Sequence, residues 1–159
     1  MVEKEKKDPC FEDVQKWIKG LSDGTYGHQI ETSTMRGIQL LKAQKGFLLC
    51  NMIIHTGLLD ESGNWHVSAI ATLVDMIGSA APYTVNQCHH VTLDLNISYY
   101  TMAKVQEEVE IEAKVVGKKD DLTSVIVEVR KKQNAELVAL GKLWMAVSTK
   151  NPKYQPSEL

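Results

Sequence analysis

Hydrophobic residues recur with a helical period over one stretch of the chain and with a strand-like texture over most of the residues after it. Within residues 64–82, Ile70, Leu73, Val74, Ile77 and Ala81 keep to one helical face. At about 100° per residue, Ser68, Thr72, Asp75 and Ser79 gather on the opposite side. The stretch predicts a helix apolar enough to be mostly buried, with one carboxylate, Asp75, among small hydroxyl side chains. A carboxylate withdrawn from water needs partners, and it is an unusual choice for a residue that only packs. Asp75 is therefore the first candidate for chemistry.

Upstream, Phe11, Val14, Trp17, Ile18 and Leu21 predict a short amphipathic helix, brought to an end by Gly20, Ser22-Asp23-Gly24 and Gly27. Residues 30–43 read as extended, Gln44-Lys45-Gly46 as a hairpin turn and residues 47–55 as the returning strand. Residues 56–64 form a loop by composition, and residues 83–90 a polar connection after the central helix. Four segments rich in β-branched or apolar residues come next, at 91–101, 107–116, 122–130 and 137–148. The separators between them are short, which predicts antiparallel neighbours. One antiparallel sheet of about six strands wrapped around one apolar helix is the economical arrangement, an α+β domain.

Length and composition narrow the picture further. A chain of 159 residues with 43% apolar and 24% charged residues fits one globular domain. Residues 1–10 are expected to be a disordered N-terminal segment, 11–149 the domain, and 150–159, with Pro152 and Pro156, a loose tail. The net charge of −2 offers no basic footprint for nucleic acid. No apolar run reaches the roughly 18 residues that a membrane-spanning helix needs. The mixed-charge N-terminus lacks the apolar core of a secretory signal, and its acidic residues argue against a transit peptide. A cytoplasmic location is expected, with mitochondrial or peroxisomal ones left open. Ser157-Glu158-Leu159 is similar to a peroxisomal tripeptide except for its acidic middle residue.

Cys10, Cys50 and Cys88 are odd in number and widely spaced, as reduced thiols would be. Cys88 with His89-His90 has no second cluster at ligand spacing, so no metal is expected. No glycine-rich phosphate loop and no Gly-x-Ser-x-Gly elbow is present, which leaves nucleotide hydrolysis and serine-esterase chemistry without support.

Three motifs stand in register: Gly63-x-x-His66, Ala71-Thr72-Leu73-Val74-Asp75, and Thr92-Leu93-Asp94-Leu95-Asn96-Ile97-Ser98-Tyr99. With them the chain resembles the PaaI-like acyl-CoA thioesterases of the 4-hydroxybenzoyl-CoA thioesterase superfamily. It is similar to the small eukaryotic type related to thioesterase superfamily member two, over roughly residues 11–149. The resemblance implies a hotdog fold and hydrolysis of a fatty-acyl or aryl-acyl coenzyme A, with no metal or redox cofactor. It also implies a homodimer or homotetramer whose sites are shared between subunits, with the acyl chain along the apolar seam between two central helices. Carried over by position, Asp75 is the general base or nucleophile, and Thr92 the hydroxyl that helps hold the water. The Val67 backbone N–H faces the thioester oxygen, and His66 positions the loop or the carbonyl. Asp60 stands where an amide side chain is usual. The family pattern His-Gly-Gly is His66-Val67-Ser68 here. A branched Val67 and a carboxylate at Asp60 motivate an alternative, a catalytically weak or inactive acyl-CoA-binding hotdog protein. A hotdog hydratase using Asp60 and His66 is a third reading, at a spacing that does not fit the hydratase pattern.

Overall fold

Alternation along the strands decides which side of the sheet is filled. Leu48, Cys50 and Met52, then Val109, Ile111 and Ala113, then Val125, Val127 and Val129 are all fully buried, while the residues between them are not. Period-2 burial of this kind commits one face of the sheet to a core and leaves the other outward. The structure, a computed structural model, describes residues 9–149. The strands are β1 (Gln39–Gln44), β2 (Phe47–Ile53), β3 (His90–Tyr99), β4 (Glu108–Lys119), β5 (Leu122–Lys131) and β6 (Leu137–Val147). Three helices accompany them: α1 (Pro9–Asp23), α2 (Gln29–Met35) and α3 (Val67–Asn86). The sheet order is β1-β2-β4-β5-β6-β3, antiparallel throughout, with α3 lying across its apolar face.

The predicted six-strand sheet around one apolar helix is what forms. Helix α3 buries Ile70, Leu73, Val74, Ile77 and Ala81, the same residues that the period singled out. Its approach to the sheet depends on missing side chains. A Cβ on Gly141 of β6 would fall on the Val74 side chain, and one on Gly78 would press Leu143 at 3.0 Å. Helix α1 covers α3 and β1 from the other side with Val14, Ile18 and Leu21. Cys50 sits inside the sheet core, where burial pushes its thiol up to about 12.

Several expectations need correction. Residues 30–43 are not one extended segment: α2 occupies Gln29–Met35 before β1 begins. Local hydrogen bonding decides this, because Glu31 Oε2 accepts from the His28 N–H at 2.8 Å, and the Thr32 and Ser33 hydroxyls donate to carbonyls one turn back. Helix α3 starts at Val67 rather than Asn64 and runs past Pro82 to Asn86, taking in four residues of the expected polar connection. It ends at Gln87, which adopts a left-handed conformation and donates its N–H to the Tyr83 carbonyl at 2.9 Å. Strand β3 does not pair with β4 but with β6, at the edge of the sheet. Residues 100–107 cross three strand spacings, about 14 Å. They are pinned on the way by the Trp65 N–H, which donates to the Ala103 carbonyl at 2.7 Å.

Of the expected disordered segment 1–10, residues 1–8 lie outside the described residues, whereas Pro9 and Cys10 open α1. The expected loose tail 150–159 also lies outside them. No helix among the described residues is long and apolar enough to cross a membrane.

Gly141→Ala is expected to lower stability by about 1–3 kcal/mol through overpacking against Val74. Val74→Ala in the same chain should relieve part of that cost. Urea unfolding of the two single variants and the double variant measures the coupling; strictly additive losses would contradict the contact.

Candidate functional site

Asp75 lies at the middle of α3, half-buried, on the helix side turned away from Leu73 and Ile77. The Thr92 hydroxyl donates to Asp75 Oδ1 at 2.6 Å, a short charge-assisted bond between α3 and β3. Among the described residues nothing donates to the second carboxylate oxygen, which can accept from a bound molecule. Around it the hydroxyls serve the helix itself: Thr72 donates to the Ser68 carbonyl and Ser79 to the Met76 carbonyl.

At the start of α3, His66 is the N-cap, and its Nδ1 accepts from the Ser68 N–H at 3.1 Å. Val67 follows as the first helical residue, its side chain 52% exposed. Its N–H belongs to the first-turn donors that have no intrahelical acceptor, at the positive end of the helix dipole. The loop before it is tightly held. Asp60 Oδ1 accepts from the Ser62 and Asn64 N–H groups at 2.8 and 3.0 Å, and Gly63 takes the left-handed conformation that closes the turn.

The five sequence-derived candidates therefore fall into two groups. Asp75 and Thr92 meet directly; Asp60, His66 and Val67 share the loop and helix start. Eight residues of helix separate Val67 from Asp75, about 12 Å along the axis and about 80° around it. One chain does not bring the two groups onto a single reacting atom, which needs donors and base within roughly 3 Å.

Tyr99 was not among those candidates. Its hydroxyl donates to the Val67 carbonyl at 3.2 Å and ties the start of α3 to the far end of β3, and burial holds its phenol above the usual range. Straight alternation places Thr92 and Tyr99 on opposite faces, being seven residues apart. A bulge between Thr92 and Asp94 restores them to the same face, opposite Met145 and Ala139 of β6. Nothing in the amino-acid pattern announces that bulge.

Among the described residues no three His, Cys, Asp or Glu side chains gather as a metal site. His90 Nδ1 lies 2.8 Å from the Cys88 carbonyl, so the ring donates there, and burial first of all depresses its affinity for a second proton.

Residues 62–138 match the family model described as the thioesterase superfamily. Human acyl-coenzyme A thioesterase 13 is 31% identical over 106 residues, which span 66% of this chain and 76% of that protein. The chain belongs to the thioesterase superfamily. A crystal structure of zebrafish thioesterase superfamily member 2 superposes with a TM-score of 0.77 at 25% identity, covering 86% of this chain and 97% of that one. The E. coli PaaI protein shares the fold at 16% identity and a TM-score of 0.66, over 72% of this chain and 81% of that one. The α+β hotdog architecture expected for a thioesterase of this superfamily is thus present, sheet and central helix included.

His66→Ala should remove the cap of α3 and lower stability by about 1 kcal/mol. Chemical denaturation measures it, and an unchanged midpoint would show that the imidazole does not hold the helix start.

Proposed function

We propose that the protein is an acyl-CoA thioester hydrolase whose reaction centre is completed by two copies of the chain. The observation that carries this reading is the Thr92–Asp75 hydrogen bond, which fixes one carboxylate oxygen and leaves the other to hold a water. The relatives named acyl-coenzyme A thioesterase supply the substrate class. A water deprotonated by Asp75 attacks the thioester carbonyl, and the Val67 N–H, at the positive end of α3, receives the charge that develops on the oxygen. Collapse of the tetrahedral intermediate breaks the C–S bond, and the proton held by Asp75 passes to the departing coenzyme A thiolate, leaving the free carboxylic acid. His66 holds that helix start in place, and Asp60 shapes the loop behind it.

The 12 Å rise between Val67 and Asp75 supports a site in which one copy supplies the carboxylate and the other the amide. The free side of β3 supports the same arrangement. It is a ten-residue edge strand that presents Leu93, Leu95 and Tyr99 in exposed positions, followed by Tyr100 and Met102, the last 70% exposed. An apolar edge of that length calls for cover, and a second copy related by a twofold axis provides it.

A second reading, binding of acyl-CoA with little turnover, is favoured by the Val67 side chain. It stands where the family has glycine and narrows the approach of a thioester to the helix start.

Hydrolysis of a panel of acyl-CoA esters, followed by release of the coenzyme A thiol, tests the proposal. Asp75→Ala should abolish turnover while the protein remains folded. Thr92→Val should cost about tenfold or more in kcat, as expected for losing a hydrogen bond to a charged group. Full activity in Asp75→Ala would overturn the assignment, and binding of acyl-CoA without hydrolysis in the parent protein would favour the second reading.

A further inference from the structure

Strand β3 holds helix α3 at two points. Near the start of the strand, the Thr92 hydroxyl donates to Asp75 Oδ1 at 2.6 Å. At its end, the Tyr99 hydroxyl donates to the Val67 carbonyl at 3.2 Å. The two helical residues held in this way are the ones that supply the proposed carboxylate and amide. Both bonds leave the same face of the strand, because the bulge between Thr92 and Asp94 absorbs the odd residue between them.

Val67 needs such a hold. It is the first residue of α3, its side chain is exposed, and no intrahelical acceptor fixes its N–H. Helix ends fray, whereas a donor to a reacting atom has to stay within about 0.5 Å of its productive place. Two bonds steady this turn from different directions. The His66 ring accepts from the Ser68 N–H on the loop side, and the Tyr99 hydroxyl grips the Val67 carbonyl from β3. The N–H and the carbonyl of Val67 flank one Cα, and each belongs to a planar peptide, so fixing the carbonyl restrains the direction of the N–H. Burial holds the Tyr99 phenol above the usual range, so the hydroxyl remains a donor at neutral pH.

We infer that Tyr99 is a positioning residue of the reaction, aiming the Val67 N–H of its own copy at the carboxylate of the other. This role rests on the proposed two-copy reaction centre and adds a residue that builds it. The order of the two bonds along an edge strand carries it. A twofold axis pairs β3 with its copy antiparallel, and residues equally far from the axis on either side then face each other. The midpoint of Thr92 and Tyr99 falls between Leu95 and Asn96. An axis at either residue brings the Tyr99 end of one strand, with Val67, to the Thr92 end of the other, with Asp75. The same pairing covers the exposed side chains of Leu93 and Leu95.

Tyr99→Phe removes the hydroxyl and keeps the ring. It should lower kcat for acyl-CoA hydrolysis about fivefold, as for the loss of one neutral hydrogen bond, with KM unchanged within about twofold. An unchanged kcat, or a raised KM at the parent kcat, would overturn the role; in the second case Tyr99 would touch substrate instead. Heterodimers purified through two affinity tags, one copy parental and the other carrying Asp75→Ala, separate positioning from mere support. Their one intact centre takes its amide from the Asp75→Ala copy and its carboxylate from the parental copy. The loss caused by Tyr99→Phe should therefore follow the Asp75→Ala copy, and the loss caused by Thr92→Val the parental copy. Equal losses from Tyr99→Phe in either copy would overturn the positioning role and leave the hydrolase reading standing. Both losses on the parental copy would overturn the shared centre as well.

Absence of turnover in the parent protein would remove the hydrolase reading and leave hydrogen exchange to test the hold on the helix start. The N–H groups of Ala69 and Ile70 donate to the His66 carbonyl at 3.0 and 3.1 Å and report on the first turn. In Tyr99→Phe they should exchange about fivefold faster, while the amides around Ile77 keep the parent rate. Unchanged exchange at Ala69 and Ile70 would overturn the claim that Tyr99 fixes this turn.

Discussion

Close packing of α3 against the sheet is the constraint on which the rest of the molecule depends. Val74 reaches β6 because residue 141 has no side chain, and Leu143 and Val127 close around Gly78. That contact consumes one side of the helix. Its other sides are then free for two different tasks, covering by α1 and presentation of Asp75 toward β3. The Thr92–Asp75 bond works only because the helix lies close enough to an edge strand for a 2.6 Å contact between side chains. Packing thus fixes the carboxylate, and the electrostatics follow from that position.

The same helix explains why the proposed reaction centre takes two copies of the chain. Its N-terminus offers unpaired amide donors and a favourable field for negative charge, while its carboxylate lies two turns further on. In the proposed dimer, antiparallel approach of a second α3 across the β3 edge would set one helix's start beside the other's middle. The exposed apolar side chains of β3 and the residues after it lie on the edge where such an approach takes place. Under that proposal Val67 is the residue under most tension between fold and chemistry: its amide is the donor the reaction requires, while its branched side chain occupies space that glycine would leave open.

How much of this the amino acids disclosed depended on whether the information was local and periodic. The buried face of α3 was legible because Ile70, Leu73, Val74 and Ile77 keep a strict helical spacing. The boundaries of β2 to β6 emerged to within about three residues from their runs of apolar and β-branched side chains, whereas β1 begins nine residues later than expected. Residues 30–43 were misleading because Ile30, Thr32 and Thr34 favour strands by type, whereas the Glu31 cap acts through one hydrogen bond. The pairing of β3 with β6 was hidden, since short separators suggest hairpins and say nothing of a segment that crosses the sheet's end. The site divides similarly. Asp75 and Thr92 were found as a motif, but Tyr99 depends on a bulge, and the division of the candidates into two groups depends on helix rise.

The shared reaction centre is tested most directly by complementation. Val67→Pro deletes the amide donor, and proline is well tolerated at the first position of a helix. Asp75→Ala deletes the carboxylate. Each variant alone should be inactive in acyl-CoA hydrolysis. When the two are mixed and their subunits exchanged, half of the dimers carry one intact site, so about a quarter of the parent activity should return. Continued inactivity after verified subunit exchange would contradict a centre built from the amide of one copy and the carboxylate of the other.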